Sequence, residues 1–454
     1  MTAAEPSGSR EHEPDPAGAT TGTAGAVAAV EPRGALFSAR MFQSVREVPA
    51  YRWYILASLG SSLVMNAQIV VRGYLVFSLT GSYAVLGASA LMFGISGVVF
   101  MLFGGVVADR LPKKYVMQAG QTFSMLTALA IGLLLLFDML RVEHLLVTSF
   151  LNGAAFSLMM PARQAWLPEL VGMDRLMNAV ALNSAVQNST RLIGPMGAGF
   201  LIAAVGPDVV YFAMAGLYLF SIVTLARVTT FGGAGRAAVR SPARGGESGR
   251  GRGIGRGALA DIRDAFVYLV ANRLLLMLLL VNLATVLLSM PYMMLLPGWV
   301  LDVLGGGPET VGLLLSIGAI GSLGGALFVA SLPNRNRGRY YLLGSLLVGV
   351  MLVAFSQSTA VWLTALVMIV MNVGSALRNA ISNVLVQSHV DDEYRGRVMS
   401  IYMMQMNFMA FGAAGLGLLA TAVGPQTAFL AMALALVALS ASLLAFAPAL
   451  RNLD

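Results

Sequence analysis

Residues 398–450 read VMSIYMMQMNFMAFGAAGLGLLATAVGPQTAFLAMALALVALSASLLAFAPAL, without one Asp, Glu, Lys or Arg. A membrane-crossing helix needs about 20 predominantly apolar residues. This stretch is therefore long enough to cross twice, with Gly424-Pro425 as the turn between crossings. The same texture extends back to Trp53: of 454 residues, 57% are hydrophobic and 11% charged, against roughly 25% charged in soluble domains. The two polar stretches, Met1 to Ala50 and Arg227 to Arg273, are short and rich in Gly, Pro and Arg, which leaves no segment of domain size for a soluble fold. The composition predicts an all-α, polytopic integral membrane protein whose backbone groups must be satisfied inside its own helices.

Segments between charges and turn residues give about twelve spans, near 53–79, 83–108, 115–137, 145–167, 177–205, 208–226, 274–300, 310–331, 340–356, 360–388, 397–422 and 426–449. The expected organisation is a disordered tail (1–50), a six-helix bundle (51–226), a Gly/Arg-rich loop with an interfacial helix (227–273) and a second six-helix bundle (274–450). Arg110, Lys113, Lys114, Arg175, Arg335, Arg337, Arg339, Arg395, Arg397 and the arginines of the central loop fall on one side of this layout. The opposite loops hold Arg141 beside Asp138, Glu143, Asp208, Asp302 and Glu309. The positive-inside rule then puts both termini and the central loop in the cytoplasm, and the protein in the cell membrane.

The net charge of +8 has the same topological origin. The Arg-Gly repeats at Arg244 and Arg250 accordingly read as linker rather than as an RNA-binding segment, and no nucleic-acid partner is expected. The first 50 residues lack an apolar run behind a basic start, so they read as a tail and not a signal peptide. Asp261 to Asn272 alternates charged and apolar residues as a helix lying on the inner membrane face would. There is no cysteine, and His12, His144 and His389 have no metal-ligand spacing. Disulfides and thiolate chemistry are excluded, and neither a metal, a cofactor nor an enzymatic activity is expected.

The two halves repeat. Ala204-Val-Gly-Pro207 recurs as Ala422-Val-Gly-Pro425, an offset of 422 − 204 = 218, and at the same offset Gln187 matches Gln405, Gly194 matches Gly412, Gly197 matches Gly415 and Gly199 matches Gly417. Six spans return the chain to its starting side, so the repeats are parallel. Parallel six-helix repeats are a transporter architecture with the substrate site between the halves.

Between spans two and three, Gly105-Val-Val-Ala-Asp109-Arg110-Leu-Pro112-Lys113-Lys114 resembles the loop signature of the major facilitator superfamily. In span five, Gly194-Pro195-Met-Gly197-Ala-Gly199 is similar to the Gly-Pro motif of that superfamily's export-type antiporters. Leu79-Thr-Gly-Ser82, Pro161-Ala-Arg-Gln164, Leu167-Pro-Glu-Leu-Val171 and Arg395-Gly-Arg397 resemble the branch containing the enterobactin exporter and related multidrug exporters. The resemblance implies a monomeric secondary transporter that exports a drug, siderophore or other small organic molecule by rocking its two halves, with protons as coupling ion. It assigns Gly105, Asp109, Arg110, Lys113 and Lys114 to a cytoplasmic gate. Asp109 would face the N-terminus of span eleven, where the helix dipole favours a carboxylate. An importer or facilitator on the same fold, and a non-transporting receptor, remain the alternatives.

Pro195 removes a helix hydrogen bond and Gly194 and Gly199 permit close approach, which predicts a hinge. Gly318, Gly321, Gly324 and Gly325 of span eight are the expected receivers. The substrate cavity is expected where polar side chains cannot face lipid: Asn183, Gln187, Asn188 and Arg191 in span five, Gln68 and Arg72 in span one, Arg378 in span ten, and Gln405 in span eleven. No carboxylate lies deep in any span, so the residue that would carry a coupled proton is not visible. Methionines cluster in span seven (Met290, Met293, Met294) and span eleven (Met399, Met403, Met404, Met406, Met409), as suits an adaptable apolar cavity wall.

Overall fold

The computed structural model describes residues 43–228, 263, 266–333 and 335–453. Most of the expected tail and central loop lie outside the described residues. A short α1 (Gln43–Glu47) precedes six helices of the first half: α2 (Pro49–Thr80), α3 (Tyr83–Arg110), α4 (Lys113–Leu136), α5 (Val142–Val171), α6 (Met173–Val205) and α7 (Pro207–Ala226). The second half holds α8 (Arg273–Ser289), α9 (Pro291–Asp302), α10 (Pro308–Ala330), α11 (Arg337–Gln357), α12 (Val361–His389), α13 (Arg395–Val423) and α14 (Pro425–Phe446), closed by α15 (Pro448–Arg451).

Among the described residues, eleven segments are long and apolar enough to cross a membrane, with α8 and α9 forming one of them. α6 is the remaining crossing. It is 33 residues long, and its polar stripe keeps its hydropathy low. The chain is a multi-pass membrane protein. Alternation of direction gives the bundle a basic end, with the loops at Arg110, Arg175, Arg337 and Arg395, and an acidic end, with Asp138, Asp208, Asp302 and Glu309.

Local chemistry sets the helix ends. Gly206 and Gly424 adopt φ of +91° and +85°, a region that L side chains avoid, and in both places Pro begins the next helix, where its missing N–H costs nothing. The repeated Ala-Val-Gly-Pro is thus one turn used twice. The expected span seven is broken: Pro291 cannot donate to the ladder, so α8 stops at Ser289 and α9 restarts at Pro291. Of the expected interfacial helix, residues 266–271 are described and helical. Leu269 is buried there, while Phe266, Val267 and Val270 are exposed.

Each half has its own aromatic anchor. Trp299, Phe355 and Phe429 meet with ring centroids 4.9, 5.1 and 5.7 Å apart, tying α9, α11 and α14 near the acidic end. Tyr51, Tyr54 and Trp166 do the same for α2 and α5 at the basic end of the first half, and the Tyr51 hydroxyl donates to the Ala179 carbonyl of α6 at 2.8 Å.

The halves meet along α3–α13 and α6–α10, and the repeat noted in the sequence appears there in matching register. A Cβ on Gly199 would lie under 3.0 Å from the Pro308 carbonyl oxygen of α10, and one on Gly417 under 3.0 Å from the Tyr83 carbonyl oxygen of α3. Their companions Gly194 and Gly412 pack instead on helices of their own half, against Leu63 and Asn66 and against Leu287 and Pro291, while Gly197 and Gly415 both face open space. The expected receivers in span eight are not the receivers. Gly318, Gly321 and Gly325 pack on α12 within their own half, at Asn372, Ile369 and Val373, and Gly324 is open. Gly312, a turn and a half nearer the acidic end, takes the Pro195 backbone. Small residues recur along α10, and sequence alone does not say which of its faces looks outward from the half.

The hydrogen bonds between halves include Ala84 N–H to Thr421 Oγ1 (3.0 Å), Tyr83 hydroxyl to Asp302 (3.2 Å) and Ser316 hydroxyl to the Leu192 carbonyl (2.5 Å). These three lie between the acidic end and mid-depth; a fourth, Asn407 Nδ2 to Met101 Sδ (3.7 Å), joins α13 to α3 somewhat past mid-depth. At the basic end, the surroundings of Gly105 in α3 and Gly396 in α13 are open. Gly199→Val and Gly417→Val should therefore leave each half folded but push the acidic ends apart, since overpacking typically costs about 1–3 kcal/mol. Spin labels on cysteines at Leu79 and Val423 should report the change by pulsed dipolar spectroscopy as a longer distance population. An unchanged distance distribution would mean that the two contacts do not hold the seal.

Candidate cavity and its polar lining

α6 is exposed on two opposite faces. Ile193 and Phe200 are exposed on one, and Ser184 and Arg191 on the other, about 180° away at about 100° per residue. A helix in a bundle has one lipid face. The other face carries the polar stripe. Arg191 stands next to Leu192, whose carbonyl is held by Ser316 across the halves. Of the contacts that join α6 to α10 at Leu192, Pro195 and Gly199, that one lies nearest the basic end. The Arg191 guanidinium is exposed and has no partner among the described residues. Gln187, one turn toward the basic end, is half-buried and its side chain is likewise unclaimed. Asn188 is half-buried, and Asn183 turns toward α2, where its Oδ1 accepts from the Ser58 hydroxyl at 3.2 Å.

Gln68 lines a small polar chamber of about 60 Å³ inside the first half, with Gln121, Asn152, Phe93 and Arg163. Arg72, one turn further, lies over the Phe93 ring at 5.3 Å from its centroid, and its Nη1 is buried without a hydrogen-bond partner. The ring face partly replaces a counter-ion.

Arg378 and Gln405 lie elsewhere. Arg378 is fully buried inside the second half, where its guanidinium donates to the Thr285 carbonyl at 3.3 Å, to the Ser289 hydroxyl and to Asn379 at 3.1 Å. Gln405 is bound by the Asn282 amide at 2.6 Å and donates to the Leu279 carbonyl at 3.0 Å. The structure thus groups Gln187 and Arg191 on the polar face of α6, Gln68 and Arg72 inside the first half, and Arg378 and Gln405 inside the second.

In the loop motif, Lys113 pairs with Glu169 at 2.5 Å, and Lys114 donates to the Ala226 and Val228 carbonyls at 2.8 Å each, capping the end of α7. Arg110 is exposed. The Asp109 side chain lies outside the described residues, as does that of Met406. Gly194, Pro195 and Gly199 divide their work: the first packs on α2, the other two on α10.

The sequence reading passed over Arg163. It lies within Pro161-Ala-Arg-Gln164, eight residues inside the end of α5, where the motif gives no signal of a membrane cation. It donates to the Ser58 and Ser62 hydroxyls, at 2.5 and 3.2 Å, so Arg163, Ser58 and Asn183 link α5, α2 and α6. Its neighbour Asn152 sits singly in an apolar run and Gln121 among Gln118, Thr122 and Ser124, and only packing reveals that they converge. The methionines around this chamber are Met65, Met117, Met159 and Met160, not those of spans seven and eleven.

The Major Facilitator Superfamily profile matches residues 53–414 and again 292–452. The chain is 27% identical over 414 residues to the multidrug efflux pump Tap of Mycolicibacterium fortuitum, covering 88% of this chain and 96% of that protein. It is 24% identical over 349 residues to the staphyloferrin A transporter of Staphylococcus aureus, covering 76% and 82%. A match of 25% identity to the uncharacterized MFS-type transporter YfiS of Bacillus subtilis spans 37% of this chain and 39% of that one. In fold, the crystal structure of the nucleoside transporter NupG superposes with a TM-score of 0.67 at 17% identity, over 88% of this chain and 99% of that chain. The protein belongs to the Major Facilitator Superfamily.

Cysteines at 187 and 191 are easily read, because the chain has none of its own. Both should react with a charged, water-soluble thiol reagent, whereas a cysteine at Gln405, held inside the second half, should react at least about a hundredfold more slowly, since a buried site opens only through a minor population. Equal rates at the three sites would remove α6 from the cavity wall.

Proposed function

We propose that the protein is a secondary active transporter that moves a small organic molecule, of the drug or siderophore type, out of the cell by alternating access. The observation that carries this reading is Arg191: an exposed guanidinium with no partner among the described residues, next to the contact that seals the acidic end, from which the halves would open toward the basic end. By the positive-inside rule the basic end is cytoplasmic, and an opening on that side is where an exported molecule loads. The multidrug and siderophore relatives support the substrate classes. Closing α3 on α13 and α6 on α10 at the basic end, while the glycine contacts at Tyr83 and Pro308 release, would turn the cavity outward.

An unpartnered cation beside Gln187 and Asn188 suits a molecule with a carboxylate, phenolate or carbonyl-rich face. Proton antiport is part of the reading as the driving force. Among the described residues the acids lie at the helix ends, so a coupled proton would ride on a group near an end, such as Glu169 or Asp302, or on the substrate itself. An importer on the same fold is the second reading.

Vesicles of defined orientation decide between them. Inside-out vesicles energised with an inward-acid gradient should accumulate substrate, and right-side-out vesicles should not. The opposite pattern makes the protein an importer. Arg191→Ala should lower uptake into the inside-out vesicles about tenfold or more, the scale of one lost charge-assisted hydrogen bond, with membrane abundance near normal. Reporter fusions at Asp208 and at Gly249 should read outside and cytoplasm respectively. Full activity in Arg191→Ala would move the substrate site away from α6.

A further inference from the structure

A second cavity lies on the outer side of the first half. It is a crevice of about 610 Å³ between α3 and α4, floored by α5, whose walls include Phe100, Val107, Phe123, Leu151, Ala154 and Leu158. Among the described residues its lining is almost wholly apolar. It opens to lipid: Tyr115, Ala119 and Phe123 form an exposed stripe along α4 at helical spacing, and Val99 and Phe103 are exposed on the facing side of α3. From Tyr115 to Phe123 is eight residues, about 12 Å of helix, and Tyr115 lies close to the start of α4. The crevice therefore occupies the half of the bilayer nearest the basic end.

The crevice and the polar chamber share one wall residue, Met159. Met117, Gln121 and Ser124 of α4 face the chamber, while Val116, Ala119 and Gly120 face the crevice. On α5, Asn152 and Arg163 face the chamber and Leu151 and Leu158 the crevice. Between them the Met159 thioether lies in the place a side chain at 120 would take, since a Cβ on Gly120 would come under 3.0 Å from its Sδ and Cγ. The seam between α4 and α5 is thus closed by one unbranched side chain with three rotatable bonds, lying over a residue that has none. Behind it is an acceptor with no partner: Gln121 Oε1 is buried and makes no hydrogen bond.

We infer that this seam is a lateral entrance, and that its occupant is an amphiphile dissolved in the leaflet at the basic end, with an alkyl or aryl tail in the crevice and a polar head passing Met159 into the chamber. The inference rests on the transporter reading and names the class of substrate that uses this side. Apolar walls suit the tail. Arg163, Asn152 and the unclaimed Gln121 oxygen suit a head carrying both an acceptor and a hydrogen-bond donor. Met159 is the door: in the present conformation it separates the two compartments, and a rotation about its side-chain bonds joins them.

The test uses the full-length chain in nanodiscs with single cysteines at Ser124, in the chamber, and at Ala119, in the crevice. Two probes are compared, N-dodecylmaleimide dissolved in the bilayer and a sulfonated maleimide confined to water. Ala119→Cys should react with the alkyl reagent, and Ser124→Cys, which is buried, more slowly with both. Met159→Trp should slow the alkyl reaction at Ser124→Cys about tenfold or more, and Met159→Ala should speed it, as expected when passage draws on a minor open population, while the water-soluble rate stays within about twofold. The Ala variant carries the test if the Trp variant does not fold. Alkyl rates indifferent to residue 159, a Ser124→Cys unreactive to either reagent, or an Ala119→Cys untouched by the alkyl reagent would each overturn the entrance. The labelling needs no turnover, so a failure of the export reading in vesicles leaves this result legible, and a failure here leaves export through the opening at the basic end standing.

Discussion

The structure depends on places where helices of opposite halves approach to backbone contact, among them Gly87, Gly199, Gly312 and Gly417. At Gly199 and Gly417 the missing Cβ lets α6 reach Pro308 and α13 reach Tyr83. In a bilayer no hydrophobic driving force pulls helices together, so close packing and hydrogen bonds supply the cohesion. Both contacts are in matching positions of the two repeats, and both are near the acidic end. That end can close tightly. The basic end has no described counterpart of these glycine contacts, which leaves it free to open in the proposed cycle.

Cations within the bundle are resolved in four different ways, which is why they do not form one site. Arg378 is surrounded by oxygens from α8 and α12, Arg163 by two serines, and Arg72 by the Phe93 face with one nitrogen left over. A buried, unpaired charge is disfavoured by several kcal/mol, so the Arg378 environment reads as scaffolding within its half, while Arg163 both links helices through its serines and lines the chamber. Arg191 alone among these four keeps an exposed head.

The fold was legible because the constraint that sets it is one-dimensional: run length, charge position and the recurring Ala-Val-Gly-Pro turn are all properties of the string. The break in span seven was legible as Pro291 but was not read, since a Pro within a long apolar run does not announce whether the helix kinks or stops. The sites were legible only in part. Gln187 and Arg191 share a face of α6 that periodicity identifies. Gln405 shares Gln187's place in the repeat, yet Asn282 and Leu279 claim it inside the second half, a partnership between residues more than a hundred positions apart. Arg163 hid in a motif, and Met159 had no signal at all, because its meaning comes from the absence of a side chain at Gly120 on another helix.

One feature of α6 joins binding to closure. Pro195 has no N–H, so the carbonyl of the residue four before it, Arg191, loses its intrahelical donor. The weakest turn of the helix is therefore the turn that carries the exposed Arg191 side chain. The next carbonyl, Leu192, is the one that Ser316 holds from the other half, and the Pro195 backbone itself presses on Gly312. A ligand that draws the Arg191 head toward the basic end acts directly on the turn that carries both inter-half contacts. The shift such a ligand produces is bounded by its differential affinity for the two states, and no rigid path through the bundle is needed to convey it. In the proposed cycle, recognition and release of the seal would be separated by a single residue along the chain.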